Sequence, residues 1–450
     1  MKSNTMQDPQ TEYWMFFPGA PDLIDLEPEY IEQACEISNS VTLPTRSWQC
    51  YLQSLILQGF IDWLQQRQPN LQINYEDCSV SHPYFANVVD AVFNLQIGAF
   101  KVCLIPTTRF TADEISIPRA VIDIPTYTAH FYVVIAVNEE ADTIGIQGFL
   151  RYDQLASYRP YCPLNEDWSY ALPSTWLNLD PDELLLNLQC LSPTAIALPK
   201  VTNPQTKDLT QFQDKFPKIL PQLNSTLLWE LLPWEQGAAL LQHPDLLELI
   251  YSGQVSTEMT PTLAARLQTR LQEVVTLTTQ TALNTAYWLD GKLDEVAQSL
   301  SIWHDTSLTH IPAMRSAVNG QQFQRAIAYL REQGLPIPTQ VNSVYQDQDL
   351  AGLPLCLCAT VWSNTPEANT DWSLLLMLRT QTGKRLPAGT QLRVSNIQGI
   401  VRDVRLETAE PSLYVWLEGQ QGEAFVSTVI TQNDALWIGS PYTFDMSSVK

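Results

Sequence analysis

Between Thr45 and Leu64 the apolar side chains recur at helical spacing. Trp48, Leu52, Leu55, Ile56, Gly59 and Trp63 fall on one face, while Gln49, Gln53, Asp62 and Gln66 lie largely off it. A stripe of this length must be buried, so the segment requires a sheet or another helix to lie on. The nearest partner follows in sequence. Phe93, Leu95 and Ile97 alternate with Asn94 and Gln96, Gly98-Ala99 suits a Gly-first turn, and Phe100, Val102 and Leu104 alternate with Lys101 and Cys103. Pairing Ile97 with Phe100 sets Leu95 opposite Val102 and Phe93 opposite Leu104, with all six on one face.

Phe131–Val137 is continuously apolar and rich in β-branched residues, which predicts a central strand covered on both faces. Asn138–Asp142 is an acidic turn, and Thr143–Leu150 returns with Gly145 and Gly148 inside it. Helices are expected over Glu27–Ser38 and Asp180–Leu191, and a strand over Tyr13–Phe17 after the polar Met1–Glu12, which looks disordered. Pro199–Pro221 has the composition of a polar linker. Helices are then expected at Thr226–Leu241 (broken at Pro233), Pro244–Tyr251, Pro261–Leu289 and Phe323–Glu332, with Trp229, Trp234, Trp288 and Trp303 as packing anchors. Strands are expected at Leu355–Trp362, Trp372–Thr380, Gln391–Val394, Ile400–Leu406, Ser412–Glu418 and Glu423–Ile430. The whole predicts an α+β protein. A mixed α/β domain with a largely antiparallel sheet spans 13–198, a helical region spans 222–335, and a small β-sandwich or barrel spans 353–445.

Charge narrows the partners. The chain holds 48 acidic and 25 basic side chains, a net charge of −23. Residues 351–450 contribute only 9 of the acids and 7 of the bases, so residues 1–350 carry the imbalance. Such a surface repels phosphate backbones and anionic lipid and favours a basic protein partner. Direct binding of nucleic acid or membrane is not expected. The longest apolar runs are strand-sized, and the N-terminal stretch has no signal-peptide pattern. Eight scattered cysteines fit reduced, buried thiols, and the expected location is cytoplasmic.

No residue pattern assigns a catalytic, cofactor or metal role. The five histidines lack metal-ligand spacing, and His304 and His310, six apart, fall on different helical faces. Cys356 and Cys358 point to one strand face, as two small core residues would. Asp113-Glu114 and Glu139-Glu140 are loop carboxylates, solvated unless burial shifts them. Nucleophile-elbow, phosphate-loop and dinucleotide-binding glycine signatures are absent from the sequence. In the last domain, Tyr414 and Trp416 share the strand face opposite Leu413, Val415 and Leu417. They are a candidate protein contact if that face is open to solvent, and packing if helices cover it.

Four blocks carry a resemblance. They are Ala91–Pro106, Val133–Leu150, the Leu386-Pro387 turn into Leu392, and Leu417–Val426. Together they resemble an uncharacterised cyanobacterial family defined only as a domain of unknown function. The resemblance implies a cytoplasmic protein with no catalytic residues to carry over. It also implies genes lying near those of sigma factors or signalling proteins. The resulting expectation is a non-enzymatic, soluble interaction or regulatory protein acting on a sigma factor or signalling partner. Two alternatives stay open. One is an enzyme of unrecognised type, its site between the α/β domain and the helical region and lined by groups such as Asp123, Tyr132 or His130. The other is a structural subunit of a larger assembly.

Overall fold

The structure, a computed structural model, describes residues 22–448 apart from 110–112, 201–205, 224, 252–260, 290, 291, 293, 300–302, 305–314, 340 and 365–370. The expectations for Met1–Glu12, Tyr13–Phe17 and His310 lie outside the described residues. Helices and largely antiparallel sheets make the protein α+β. It forms two compact units, the first ending at Leu267 and the second beginning at Gln268. Among the described residues, no helix is long and apolar enough to cross a membrane.

The first unit is built on a six-stranded sheet. Its strand order is Asp22–Asp25, Thr143–Arg151, Phe131–Asn138, Phe100–Thr107, Val92–Ile97 and Ile73–Asn74. Only Phe100–Thr107 and Phe131–Asn138 pair in parallel; the other pairings are antiparallel. Phe131–Val137 is buried throughout, as a strand with neighbours on both edges and cover on both faces must be. Helix Ser47–Arg67 packs on one face, joined there by Pro28–Ser38 and Pro181–Cys190. Asp180 caps the last of these by accepting the Asp182 N–H at 3.0 Å.

Three expectations need correction here. Leu52, Leu55, Ile56, Gly59 and Trp63 are buried, but Trp48 is 42% exposed and stacks on Tyr51, while Gln53 is buried and donates to the Val89 carbonyl. A helix sunk this deeply is covered on more than one face, so a buried glutamine is tolerated once its amide finds a carbonyl. The hairpin pairs Ile97 with Phe100 and Leu95 with Val102 as expected, but Val92, not Phe93, stands opposite Leu104. Asn94 takes φ +59° and inserts an extra residue, which turns Phe93 away to pack on Tyr127 and Phe85. Finally, the polar linker Pro199–Pro221 contains the helix Thr206–Ile219. Leu209, Phe212 and Phe216 recur at helical spacing and are buried. At about 2 kcal/mol each, that burial outweighs the polar composition between them.

Gly148 holds the sheet to the chain that follows it. Its φ is +154°, and a Cβ there would meet the Asn178 carbonyl oxygen at 2.5 Å. Phe149 and Asn178 exchange backbone hydrogen bonds of 2.9 Å alongside. Gly148→Ala should therefore cost roughly 2 kcal/mol or more. The denaturation midpoint of the full chain is the measurement that checks it, and an unchanged midpoint would refute the clash.

In the second unit two sheets face each other. One runs Trp303–His304, Asn342–Leu350, Leu353–Ser363, Asp371–Thr380, Leu413–Gln420, and the other runs Ile400–Arg405, Gln391–Ser395, Ala424–Ile430, Tyr442–Thr443, Leu283–Asn284. Leu355, Leu357, Leu374, Leu376, Val415 and Leu417 of the first share a core with Leu392, Val394, Phe425 and Val429 of the second. The six expected strands are all present. Sequence reasoning missed Asn342–Leu350, whose outward positions are polar. It also ran one helix through Pro261–Leu289, where the helix ends at Thr279 and a short strand intervenes at Leu283–Asn284.

Behind the second sheet lies a fully buried charge cluster. Glu273 accepts from Thr428 Oγ1 at 2.7 Å, Ser395 Oγ at 2.8 Å and Arg270 Nη1 at 3.4 Å, with Arg393 Nη1 at 3.8 Å. Arg270 also donates to the Asn396 carbonyl, and Arg393 pairs with Asp403. Three hydrogen-bond donors and a second guanidinium converge on one carboxylate that has no surface in water, so its loss strips Arg270 and Arg393 of the counter-charge they share. Glu273→Ala should lower the stability of this unit by roughly 3–5 kcal/mol. Calorimetry would show this as an early transition, and a wild-type trace would contradict the assignment.

Candidate functional site

The first unit brings three tryptophans together. Trp168 precedes the strand Ser169–Pro173, while Trp229 and Trp234 belong to the short helices Leu228–Leu231 and Trp234–Leu241 on either side of the Pro233 break. Trp168 stands edge-on to both, with ring centroids 6.5 Å from Trp229 and 5.5 Å from Trp234. Pro233 cannot donate a hydrogen bond to a continuing helix, so the chain turns there and the two rings separate.

Trp168 has φ +57°, an outlier for a bulky side chain that costs roughly 1–3 kcal/mol. Its surroundings over-determine it. Arg119 N–H donates to its carbonyl at 2.8 Å, Asn165 N–H to the Ser169 carbonyl at 2.9 Å, and Ser169 Oγ to Asp167 Oδ1 at 2.6 Å. The rim of its six-membered ring abuts Gly237, where a Cβ would come within 1.9 Å of Cη2.

Two arginines hold the other two rings. The Arg46 guanidinium sits 5.2 Å from the Trp229 centroid, donates to the Ala86 carbonyl and forms a forked pair with Asp90. The Arg119 guanidinium sits 4.4 Å from the Trp234 centroid and pairs with Asp123 at 2.8 Å. Each stack adds about 0.5–2 kcal/mol. Asp123 Oδ2 also accepts from Arg159 Nη2 at 2.8 Å and Tyr170 Oη at 3.0 Å, so one carboxylate ties together three segments. Burial raises the pKa of Tyr170, and it stays a neutral donor.

Between these elements is an open groove of about 600 Å³ lined by Glu166, Asp167, Trp168, Trp229, Glu230, Leu232 and Pro233. Its charged groups are carboxylates, and among the described residues no basic side chain lines it. Glu166, Asp167 and Glu230 are exposed. Asp90, beneath Trp229, keeps almost half its side-chain surface open, yet the protein crowded around it raises its pKa. Arg46 draws it back, and the like charge of Asp167 pushes it up again. The groove thus combines aromatic faces with unneutralised negative charge, which suits a cationic side chain.

The residues singled out from sequence lie elsewhere. Tyr414 is 42% exposed, and Trp416 is half-buried against Phe323, Ile327 and Leu330 of helix Arg315–Glu332, in the second unit. Their strand places Tyr414 opposite Met377 and Trp416 opposite Leu375. Asp123, Tyr132 and His130 do not line the groove. Tyr132 Oη is buried, donates to the Val121 carbonyl and accepts from Ala129 N–H, and His130 Nδ1 accepts from Lys101 N–H. Among the described residues no group of three or more His, Cys, Asp or Glu side chains could hold a metal ion. Sequence reasoning named Trp229 and Trp234 as packing and passed over Trp168, whose only local signal is the polar turn Asn165–Asp167.

Gly237→Ala should force the Trp168 indole off its seat. The near-ultraviolet circular dichroism of the coupled tryptophans should change, with roughly 1–3 kcal/mol of stability lost. A superimposable spectrum would show the ring is not held there.

A family model described as a protein of unknown function (DUF1822) matches residues 24–436. No curated protein and no solved structure matches.

Proposed function

This chain belongs to the DUF1822 family of proteins of unknown function, and we propose that it works by binding a basic protein partner, without catalysing a reaction. The observation that carries this reading is the groove. Three exposed carboxylates, Glu166, Asp167 and Glu230, flank two tryptophans, and among the described residues no basic side chain lines the same walls. The acidic imbalance of residues 1–350 supplies a long-range field of the same sign, which speeds encounter with a basic surface and rejects acidic ones. The DNA-binding face of a sigma factor has that chemistry. An acidic regulator seated on such a face would occlude it from DNA.

Electrostatic recognition of this kind is screened by salt. Titration of the full chain with a peptide of alternating lysine and arginine should show an affinity that falls about tenfold between low and moderate ionic strength. No binding at low salt, or binding indifferent to salt, would overturn the reading.

A further inference from the structure

We propose that the groove seats an arginine side chain of the partner, with its guanidinium stacked on the half-buried Trp229 and held by Glu166, Asp167 and Glu230. This rests on the basic-partner reading above and specifies its contact chemistry. The argument comes from a pattern repeated inside the protein. Around these tryptophans the chain twice places an arginine over an indole and a carboxylate on that arginine: Arg46 on Trp229 with Asp90, and Arg119 on Trp234 with Asp123. The groove presents the same two components a third time. Indole surface of Trp229 and the rim of the buried Trp168 line the same groove as the carboxylates of Glu166, Asp167 and Glu230. Among the described residues, none of those three carboxylates forms an ion pair with a basic side chain. Among the described residues, no third guanidinium fills that place.

The head-group chemistry favours arginine over lysine, and two features of the groove favour a long cationic side chain on a preformed wall. A guanidinium is planar and stacks on an indole while its edge forks to a carboxylate, whereas an ammonium is a compact, strongly hydrated point charge. The groove is open along one side, so a long side chain on an extended partner segment can enter without the partner's backbone being buried. The strained Trp168 is pre-set by the Arg119 hydrogen bond and Gly237, so the aromatic wall need not reorganise on binding.

The test compares fluorescein-labelled, capped hexa-arginine and hexa-lysine peptides by anisotropy, using the full chain and its Glu166→Gln/Glu230→Gln variant. Both substituted side chains are exposed, so the variant should keep the parent thermal transition, which is measured first. The expected result is arginine binding about fivefold or more tighter than lysine, with the preference lost in the variant. Equal binding of both peptides, abolished by the variant, overturns the guanidinium site and leaves the basic-partner reading standing. Arginine-preferring binding that the variant does not alter also overturns the site, because the preference then arises elsewhere. No binding of either peptide at low salt overturns both. If the variant melts early, Asp167→Asn replaces it, with the same outcomes read.

Discussion

A guanidinium taken out of water must be given its charge partner back, and this requirement organises both units. Arg46, Arg270 and Arg393 are buried, and Arg119 nearly so. Each is answered by a carboxylate brought from another element or from the next helical turn: Asp90, Glu273, Asp403 and Asp123. Removing either member leaves an uncompensated charge, whereas the intact pair about balances its own desolvation. The pairs therefore contribute little net stability and specify position. Arg46 fixes the start of the Ser47–Arg67 helix against residues 86–90. The Arg270–Glu273 turn fixes its helix against the backs of two strands, Gln391–Ser395 and Ala424–Ile430, and against the Asn396 carbonyl just beyond the first.

The same pairs shape the candidate site. A tryptophan lying over a neutralised guanidinium is held by stacking on one face and by packing at its edges, so its orientation is set before any partner arrives. Trp229 and Trp234 are oriented in this way, and Trp168 by its hydrogen-bonded backbone and the close contact with Gly237. The exposed acids of the groove stand in front of this rigid wall. Glu166, Asp167 and Glu230 are thus left over after the interior has used its own arginines, in a chain with nearly twice as many acids as bases.

The sheet cores were legible because their signal is local. Phe131–Val137 declares a covered strand by composition, and the Gly98-Ala99 turn sets the hairpin register next to it, with Gly98 at φ +56°. That register was right up to Leu95 and failed at the Asn94 bulge, since alternation cannot show where one residue adopts a left-handed conformation. Thr206–Ile219 was hidden for a related reason. Three apolar residues among polar ones look like a linker until a surface exists to bury them.

By itself, the sequence determined the α+β class, the positions of the main strands and helices, the family, and the excess of negative charge. Each of these depends on residues close together in the chain or on their sum. Tertiary structure alone decided the groove. Trp168 and Trp229 are 61 positions apart, and Arg46 and Arg119 reach their indoles across 183 and 115. No period or motif spans such gaps. An aromatic ring and a carboxylate acquire meaning as a binding surface only when folding puts them side by side and leaves one charge without a partner.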